Sequence, residues 1–425
     1  MNLKRSFVLF VSLLFLNLLS AEGKILTIED AVRLAKENNI SVKKAENDLD
    51  SLAVQNKYSW NSVSPAAKLN GNFEDDIEND STDFSLSGAV SLSLKTNLYS
   101  EIKGAKLNYE KGLLTYSEAV RQIELSVRKK FYNLIYQKEN LVLQNRSLET
   151  SRAQYLNNEE KFKNGKISEL DAFTSRVNYE SKKPVVESAE INFQNDLASF
   201  KQLLGISQKT EIVLDGSLDD FLNLKEISFG LLPKVDEPAP DVKSAEYDVE
   251  IAKNSLLNLR FSAYAPVITG SYSYGKSKKS TQDDWMTTNR LSVGVSVPLD
   301  GILPWSSSAV DIKKQKNVLD TAEKVLEDAK TSVAVQTESY IRKINQAVKQ
   351  LDSLKSTEKL AEQTYKMTLA AYNYGKTDFL SLQNANDSVL SAGVNLKSQA
   401  YTLISTILDL ESVLGLEFGT LETKK

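Results

Sequence analysis

Residues 270–277 read GSYSYGKS, which satisfies the phosphate-cradling formula G-x-x-x-x-G-K-[ST] at every fixed position. Such a loop works by aiming backbone N–H groups and a helix N-terminus at an anion, with the lysine beside it. It needs a strand that ends at the first glycine and a helix that begins at the lysine. Neither flank supplies this. Upstream, Ile268, Tyr272 and Tyr274 alternate with Thr269, Ser271 and Ser273, so Gly270 falls inside a strand rather than at its exit. Downstream, SKKSTQDDWMTTN (277–289) has no apolar face at helical spacing. The corresponding stretch of the first half, AAKLNGNFEDD (66–76), lacks the lysine and the hydroxyl, and a second imitation, YNYGKT (372–377), has Ala370 where the first glycine belongs. No nucleotide or other cofactor is expected.

The rest of the composition narrows the chemistry further. The chain has no cysteine and no histidine, which removes disulfides, thiolate nucleophiles, histidine triads and the commonest transition-metal ligands. No enzymatic activity is expected. A net charge of -4 gives no reason to expect nucleic acid as a partner. Eight prolines and 17 glycines in 425 residues favour long uninterrupted helices. At the start, Lys4 and Arg5 precede an apolar run from 7 to 19 and the small residues Ser20 and Ala21, which reads as an export signal over residues 1–21.

The elements that position everything else are written twice. KFKNGKISEL (161–170) resembles AYNYGKTDFL (371–380), and the LLG ending at Gly205 resembles the VLG ending at Gly415. Upstream, Val42, Lys43, Ala45 and Glu46 match Val242, Lys243, Ala245 and Glu246, and Pro65 matches Pro266. The expected organisation is a first repeat over 22–231, a proline-rich joint over 232–240 and a second repeat over 241–425. Each repeat runs helix, strand pair, very long helix, Gly-Lys turn, second long helix. The strand pairs fall at 66–94 and 267–297, and the turns at 164–168 and 374–378. Residues 306–374 contain neither glycine nor proline, and as one helix would reach roughly 100 Å. Leu113, Val120, Val127, Leu134, Leu141, Leu148, Tyr155 and Phe162 recur every seven residues, as do Ile312, Leu319, Leu326, Val333, Tyr340, Ala347, Leu354 and Ala361. A period of seven imposes left-handed supercoiling on helices packed side by side.

A coiled-coil rod explains the stripes but not the strands. In FSLSGAVSLSL (84–94), Phe84, Leu86, Val90, Leu92 and Leu94 alternate with serines, and Leu291, Val293, Val295 and Val297 repeat the pattern. That alternation suits lipid on one side and water on the other, and equally a half-buried soluble hairpin. The connections at 74–83 and 275–289 read as polar loops, and the tyrosines with Trp285 as an aromatic girdle. Four strands cannot close a barrel, and an open edge in hydrocarbon leaves backbone groups unpaired, so several chains must share one barrel.

Taken in order, LTIEDAVRLAKENN (26–39), the duplicated layout, the closing LLG and VLG, and AYNYGKTDFLSLQNANDSVLSA (371–392) resemble the TolC-like outer-membrane efflux proteins, the exit ducts of tripartite drug pumps and type I secretion systems. The likeness covers nearly all of the chain after the export signal. It implies a mainly α fold with a small β membrane part. Duplicated long-helix hairpins would form a trimeric α-barrel, and four strands per chain would contribute to a 12-stranded β-barrel in the outer membrane. A helical tunnel would continue through the periplasm. The resemblance also implies partners: two further copies of the chain, a periplasmic adaptor and an inner-membrane transporter. It places adaptor docking and the aperture at the turns, around Gly165, Lys166, Ser168 and Asp171, and around Tyr372, Gly375, Lys376, Thr377 and Asp378. Members commonly carry carboxylates six and nine residues after the second turn glycine; Ser381 and Asn384 stand there, leaving Asp378 or Asp171 as candidates for an acidic girdle. The alternative function is a periplasmic coiled-coil scaffold or adaptor without a pore.

Overall fold

The computed structural model describes residues 24–78, 81–222, 238–279 and 284–421. The stretch read as an export signal, most of the proline-rich joint and the tips of both strand connections lie outside them. Helices dominate, as expected. In chain order the elements are β1 (Lys24–Leu26), α1 (Ile28–Asn38), α2 (Ile40–Lys57), β2 (Ala66–Asp76), β3 (Ser81–Lys95), α3 (Leu98–Lys163), α4 (Glu169–Leu203) and β4 (Ile212–Leu214). They continue as α5 (Pro240–Tyr264), β5 (Val267–Lys279), β6 (Met286–Ser296), α6 (Ser307–Asn373) and α7 (Phe379–Leu414). The two longest helices have 66 and 67 residues, uninterrupted because their sequences lack proline and strong turn signals. Helix α4 runs through Pro184.

The chain divides into two compact units. One comprises Lys44–Glu118 and Glu237–Ala334. It contains an antiparallel sheet in the order β2-β3-β5-β6. Side-chain amides tie the start of α3 to α5: Asn97 donates to Asn258 at 2.9 Å, and Asn254 donates to the Ser100 carbonyl at 2.8 Å. Gly270 lies within β5, paired with Leu92 on one side and Val293 on the other, so no loop exists there to hold a phosphate. Both strand connections are shorter than their polar composition suggests, because residues 74–76, 81–83, 275–279 and 286–289 are paired strand. Ladder hydrogen bonds come from the backbone, so polar side chains mark exposure to water without ending the pairing.

The other unit comprises Met1–Lys43, Ala119–Asp236 and Val335–Lys425. Its core is formed by Val127, Phe131, Leu134 and Ile135 of α3, Phe200 of α4, Ile344 and Leu351 of α6, and Leu403, Ile404 and Leu408 of α7. Leu26 and Ala31 from the start of the described chain enter the same core, anchored by the parallel pairing of β1 with β4. Thr27 caps α1 by accepting from the Asp30 amide at 3.2 Å.

The seven-residue stripe of α3 behaves as a core seam only in part. Val127 and Leu134 are buried, but Phe162 is exposed, and over 147–158 the buried side chains are Ser147, Ser151, Gln154 and Asn158. That polar seam keeps the same period one residue earlier, where hydrophobicity gives no sign of it.

Helices α4 and α7 end alike. Gly205 and Gly415 take left-handed φ values of 69° and 72°, and the amide of the next residue reaches back to close the helix, Ile206 to Lys201 at 3.1 Å and Leu416 to Glu411 at 2.9 Å. A Cβ on Gly205 would also lie 2.7 Å from the Asn38 carbonyl oxygen, whereas one on Gly375, at φ 70°, meets nothing within 4 Å. Gly375→Ala should therefore cost about 1 kcal/mol, the left-handed penalty alone. Gly205→Ala should cost at least about twice that, since backbone must also shift. Chemical denaturation followed by circular dichroism measures both; equal losses would contradict the close approach at Asn38.

Candidate functional site

Two regions carry the features from which function can be argued, and each lies within one unit. The first is the sheet. Its register puts side chains of all four strands on two continuous faces. One face carries Leu69 and Phe73 of β2, Phe84, Leu86, Val90, Leu92 and Leu94 of β3, Ile268, Tyr272 and Tyr274 of β5, and Leu291, Val293 and Val295 of β6, with Lys276 and Lys278 of β5 at its loop end. The other carries Asn70, Asn72, Ser85, Ser87, Ser91, Ser93, Thr269, Ser271, Ser273 and Ser292. Along the central strands the apolar face is the more open one: Tyr272 is 46% exposed and Phe84, Leu86 and Val90 44–47%, whereas Ser85, Ser87, Ser271 and Ser273 are half-buried; on the edge strands both faces are open, Leu69 and Leu291 beside Asn70 and Ser292. A water-soluble hairpin shows the reverse. Phe84 and Trp285 meet edge to face at 5.8 Å near the loop end of the sheet.

The sequence reading missed a second set of aromatics, at the junctions where helices meet strands. Tyr58, Trp60, Tyr99, Tyr264 and Trp305 are all substantially exposed, and the Tyr264 hydroxyl donates to the Gly301 carbonyl at 2.8 Å. Amphipathic rings in such positions suit an interface that is apolar on one side and wet on the other. Their clustering before Pro65 and Pro266 and just after each strand pair was the available signal.

The second region is the pair of Gly-Lys turns. Gly165 and Gly375 take φ values of 69° and 70°, and the lysine amide after each closes the preceding helix: Lys166 to the Lys161 carbonyl at 2.8 Å, Lys376 to that of Ala371 at 2.9 Å. Both lysine side chains are exposed. Ser168 caps α4, accepting from the Asp171 amide at 3.1 Å while its hydroxyl donates to the Asp171 carboxylate at 2.8 Å. Asp378 caps α7, accepting from the Ser381 amide at 2.7 Å. Thr377 is half-buried. The Tyr372 hydroxyl donates to Asn158 at 2.7 Å, its ring contacts Phe379, and Lys161 lies 4.6 Å over it. The structure thus joins the two turns through Tyr372. It engages Asp171 and Asp378 as first-turn caps, the simplest use of an acid at a helix start.

Behind the turns the packing is polar. Lys182 pairs with Asp387 at 2.7 Å and donates to Ser147 at 2.8 Å, and Gln383 donates to Asn178 at 3.2 Å. Around the turns, Leu170, Phe173, Tyr374 and Leu380 are exposed by 54–81%. Sequence reasoning passed over these four, although apolar residues at the outer face of a helix's first turn are a legible sign of a surface meant for a partner.

Residues 231–416 match the family model described as outer membrane efflux protein. The chain is 20% identical over 306 residues to the outer membrane protein TolC of Vibrio cholerae, across 71% of this chain and 69% of that protein. In fold it is similar to the outer membrane channel CmeC of Campylobacter jejuni, with a TM-score of 0.77 and 18% identity over 91% of this chain and 85% of that one. It is likewise similar to the open state of the outer membrane channel MtrE of Neisseria gonorrhoeae, with a TM-score of 0.73 and 18% identity over 92% of this chain and 89% of that one. VceC of Vibrio cholerae matches at 0.73 and 13%, over 92% and 96%. The fold so defined is that of the outer-membrane channels. The second repeat matches the outer membrane efflux protein family, and the fold along nearly the whole chain is similar to that of the channels CmeC and MtrE.

The Asp378 carboxyl is held below its ordinary value of 3.8 because it accepts from the Ser381 amide and then from the Ser381 hydroxyl. A depressed carboxyl contributes stability that is present above the ordinary value and is lost as pH falls through the folded one. Asp378→Ala should therefore speed hydrogen exchange at the Ser381 amide near neutrality. The difference from the parent chain should shrink as the pH falls below the ordinary value of 3.8. Exchange that is unchanged by the substitution would show that the cap does not hold this turn.

Proposed function

We propose that three copies of this chain form a passive exit duct, each contributing its four strands to one twelve-stranded barrel in the outer membrane. The duct is coupled through a periplasmic adaptor to an inner-membrane transporter that supplies the energy. The observation that carries the reading is the exposure of the sheet: leucines, valines and tyrosines stand open on one face, while Ser85, Ser87, Ser271 and Ser273 of the central strands, on the other, are half-buried. Lipid accepts the first face, and a water-filled lumen accepts the second. The outer edges of β2 and β6, eleven residues each, have no partner within the sheet. Hydrocarbon does not tolerate such edges, so neighbouring copies must complete the wall. A pore-free scaffold leaves the apolar face without a purpose. Purified protein in planar bilayers should give discrete conductance steps. Persistent absence of steps under conditions that insert the trimer would refute the duct.

The turns are where the adaptor docks. Exposed Lys166 and Lys376 provide charge, and Leu170, Phe173, Tyr374 and Leu380 provide apolar contact, on a surface fixed by the two glycine caps. Rim charges steer association and apolar anchors hold it. Lys376→Glu should reduce adaptor recovered by pull-down at least about tenfold, the scale of one lost charged contact at an interface, and leave the conductance of the isolated duct unchanged. Equal recovery with intact export would remove Lys376 from the contact.

A further inference from the structure

Apart from Lys95 at the helix end and Glu74, Asp76, Asp83 and Lys279 at the loop end, the charges on the sheet's polar face fall at one level. The pairing Lys68 with Ala89, Ala89 with Ser273 and Ser273 with Arg290 places these four residues on one level across all four strands. Two of the four are cations, one on each edge strand, and none is a carboxylate. Both cations are exposed, and neither makes an ion pair among the described residues. The flanking levels on this face are neutral: Ser91, Ser271 and Ser292 on one side, Asn70, Ser87, Gly275 and Thr288 on the other. The nearest strand carboxylates on the face, Glu74 and Asp83, stand six residues further toward the loops, and Asp83 already pairs with Lys279 at 3.3 Å. Six residues of strand span on the order of 20 Å, beyond the ~8 Å screening length of physiological salt. On the opposite face the same height is bracketed by Val90 with Tyr272 and by Leu69 with Tyr274. The cations therefore sit at the height of the tyrosine girdle, toward the loop end of the apolar band, since Lys276 and Lys278 occupy the apolar face just beyond it; the low-dielectric wall there strengthens the field on the wet side. Like charges held at one level repel and gain no pairing, so folding does not account for them.

We propose that Lys68 and Arg290 form a cationic belt at the height of the tyrosine girdle of the membrane segment, which favours passage of anionic solutes over cationic ones. The proposal rests on the reading of the sheet as duct wall. Repeated in each copy, the belt places six cations around the lumen, set by residues that lie at the joints between copies.

The absence of cysteine from the chain makes a direct test clean, because one introduced thiol is the only one present. Ser273→Cys lies in the belt, between Ala89 and Arg290. Full-length trimer in outer-membrane vesicles is treated with methanethiosulfonates carrying either a sulfonate or a trimethylammonium group. The ratio of the two rates is taken relative to a free thiol in solution, so any change in thiol ionisation cancels. The normalised ratio should favour the anionic reagent by about tenfold, the lower end of focusing by charged clefts. It should fall toward one in the Lys68→Gln, Arg290→Gln background and persist with Lys68→Arg, Arg290→Lys. Val293→Cys, on the other face, should resist both reagents. A ratio near one at Ser273→Cys with Val293→Cys protected overturns the belt and leaves the duct standing. Val293→Cys reacting as fast as Ser273→Cys overturns the duct, and the belt with it.

Discussion

A backbone in hydrocarbon must find all its hydrogen bonds in protein, and this one requirement shapes the whole chain. The four strands pair with one another through long registers and still leave two eleven-residue edges open. Water would satisfy those edges, but the face beside them is leucine, valine and tyrosine, which water disfavours. On the proposed reading the two demands are reconciled by lipid on the apolar face and further strands along the edges. No helix among the described residues is long and apolar enough to cross a membrane, so on this reading contact with lipid falls to the sheet.

The helices obey a different constraint. Fifty or more residues without glycine or proline are easy to make helical, but one chain's worth of helix gives each of them only a partial set of neighbours. The apolar core is accordingly concentrated where α3, α4, α6 and α7 meet the segment around Leu26. Beyond it, the buried positions of α3 turn to Ser147, Ser151, Gln154 and Asn158, and the contacts become directional: Lys182 with Asp387, Gln383 with Asn178, Tyr372 with Asn158. Apolar surface would hold those segments more tightly but would tolerate sliding. Hydrogen-bonded pairs fix the register at lower net stability.

What the sequence made legible follows from these physics. Alternation with period two identified the strands and both faces, because a register error would exchange leucine for serine along the whole length. The positive-φ glycines were legible for a similar reason: a helix end followed by a lysine and a capping serine or aspartate has few backbone solutions. The phosphate-loop likeness of 270–277 was dismissed by its flanks, and the structure puts Gly270 in mid-strand. Two things were hidden. The loop lengths were misjudged because side-chain polarity was taken for lack of pairing. The polar seam of α3 and the exposed Leu170, Phe173, Tyr374 and Leu380 were missed because a search for apolar periodicity finds neither a buried serine nor an apolar residue out of phase. The cationic belt depends on cross-strand register, which no single strand's sequence contains.

The duplication separates general requirements from particular ones. Aligning Pro65 with Pro266 sets residues 67, 69, 71 and 73 against 268, 270, 272 and 274, so the outward face of β2 recurs in β5, and Gly165 with Gly205 recurs as Gly375 with Gly415. Alternation and turn geometry are what any copy of the unit needs in order to fold. Lys68, however, is matched by Thr269, and the capping Ser168 by Asp378. The cap is kept, since Ser168 and Asp378 each accept from the amide three residues on, so what the architecture does not require at these positions is the charge. On the proposed reading those charges serve the solute in the lumen and the partner at the turns.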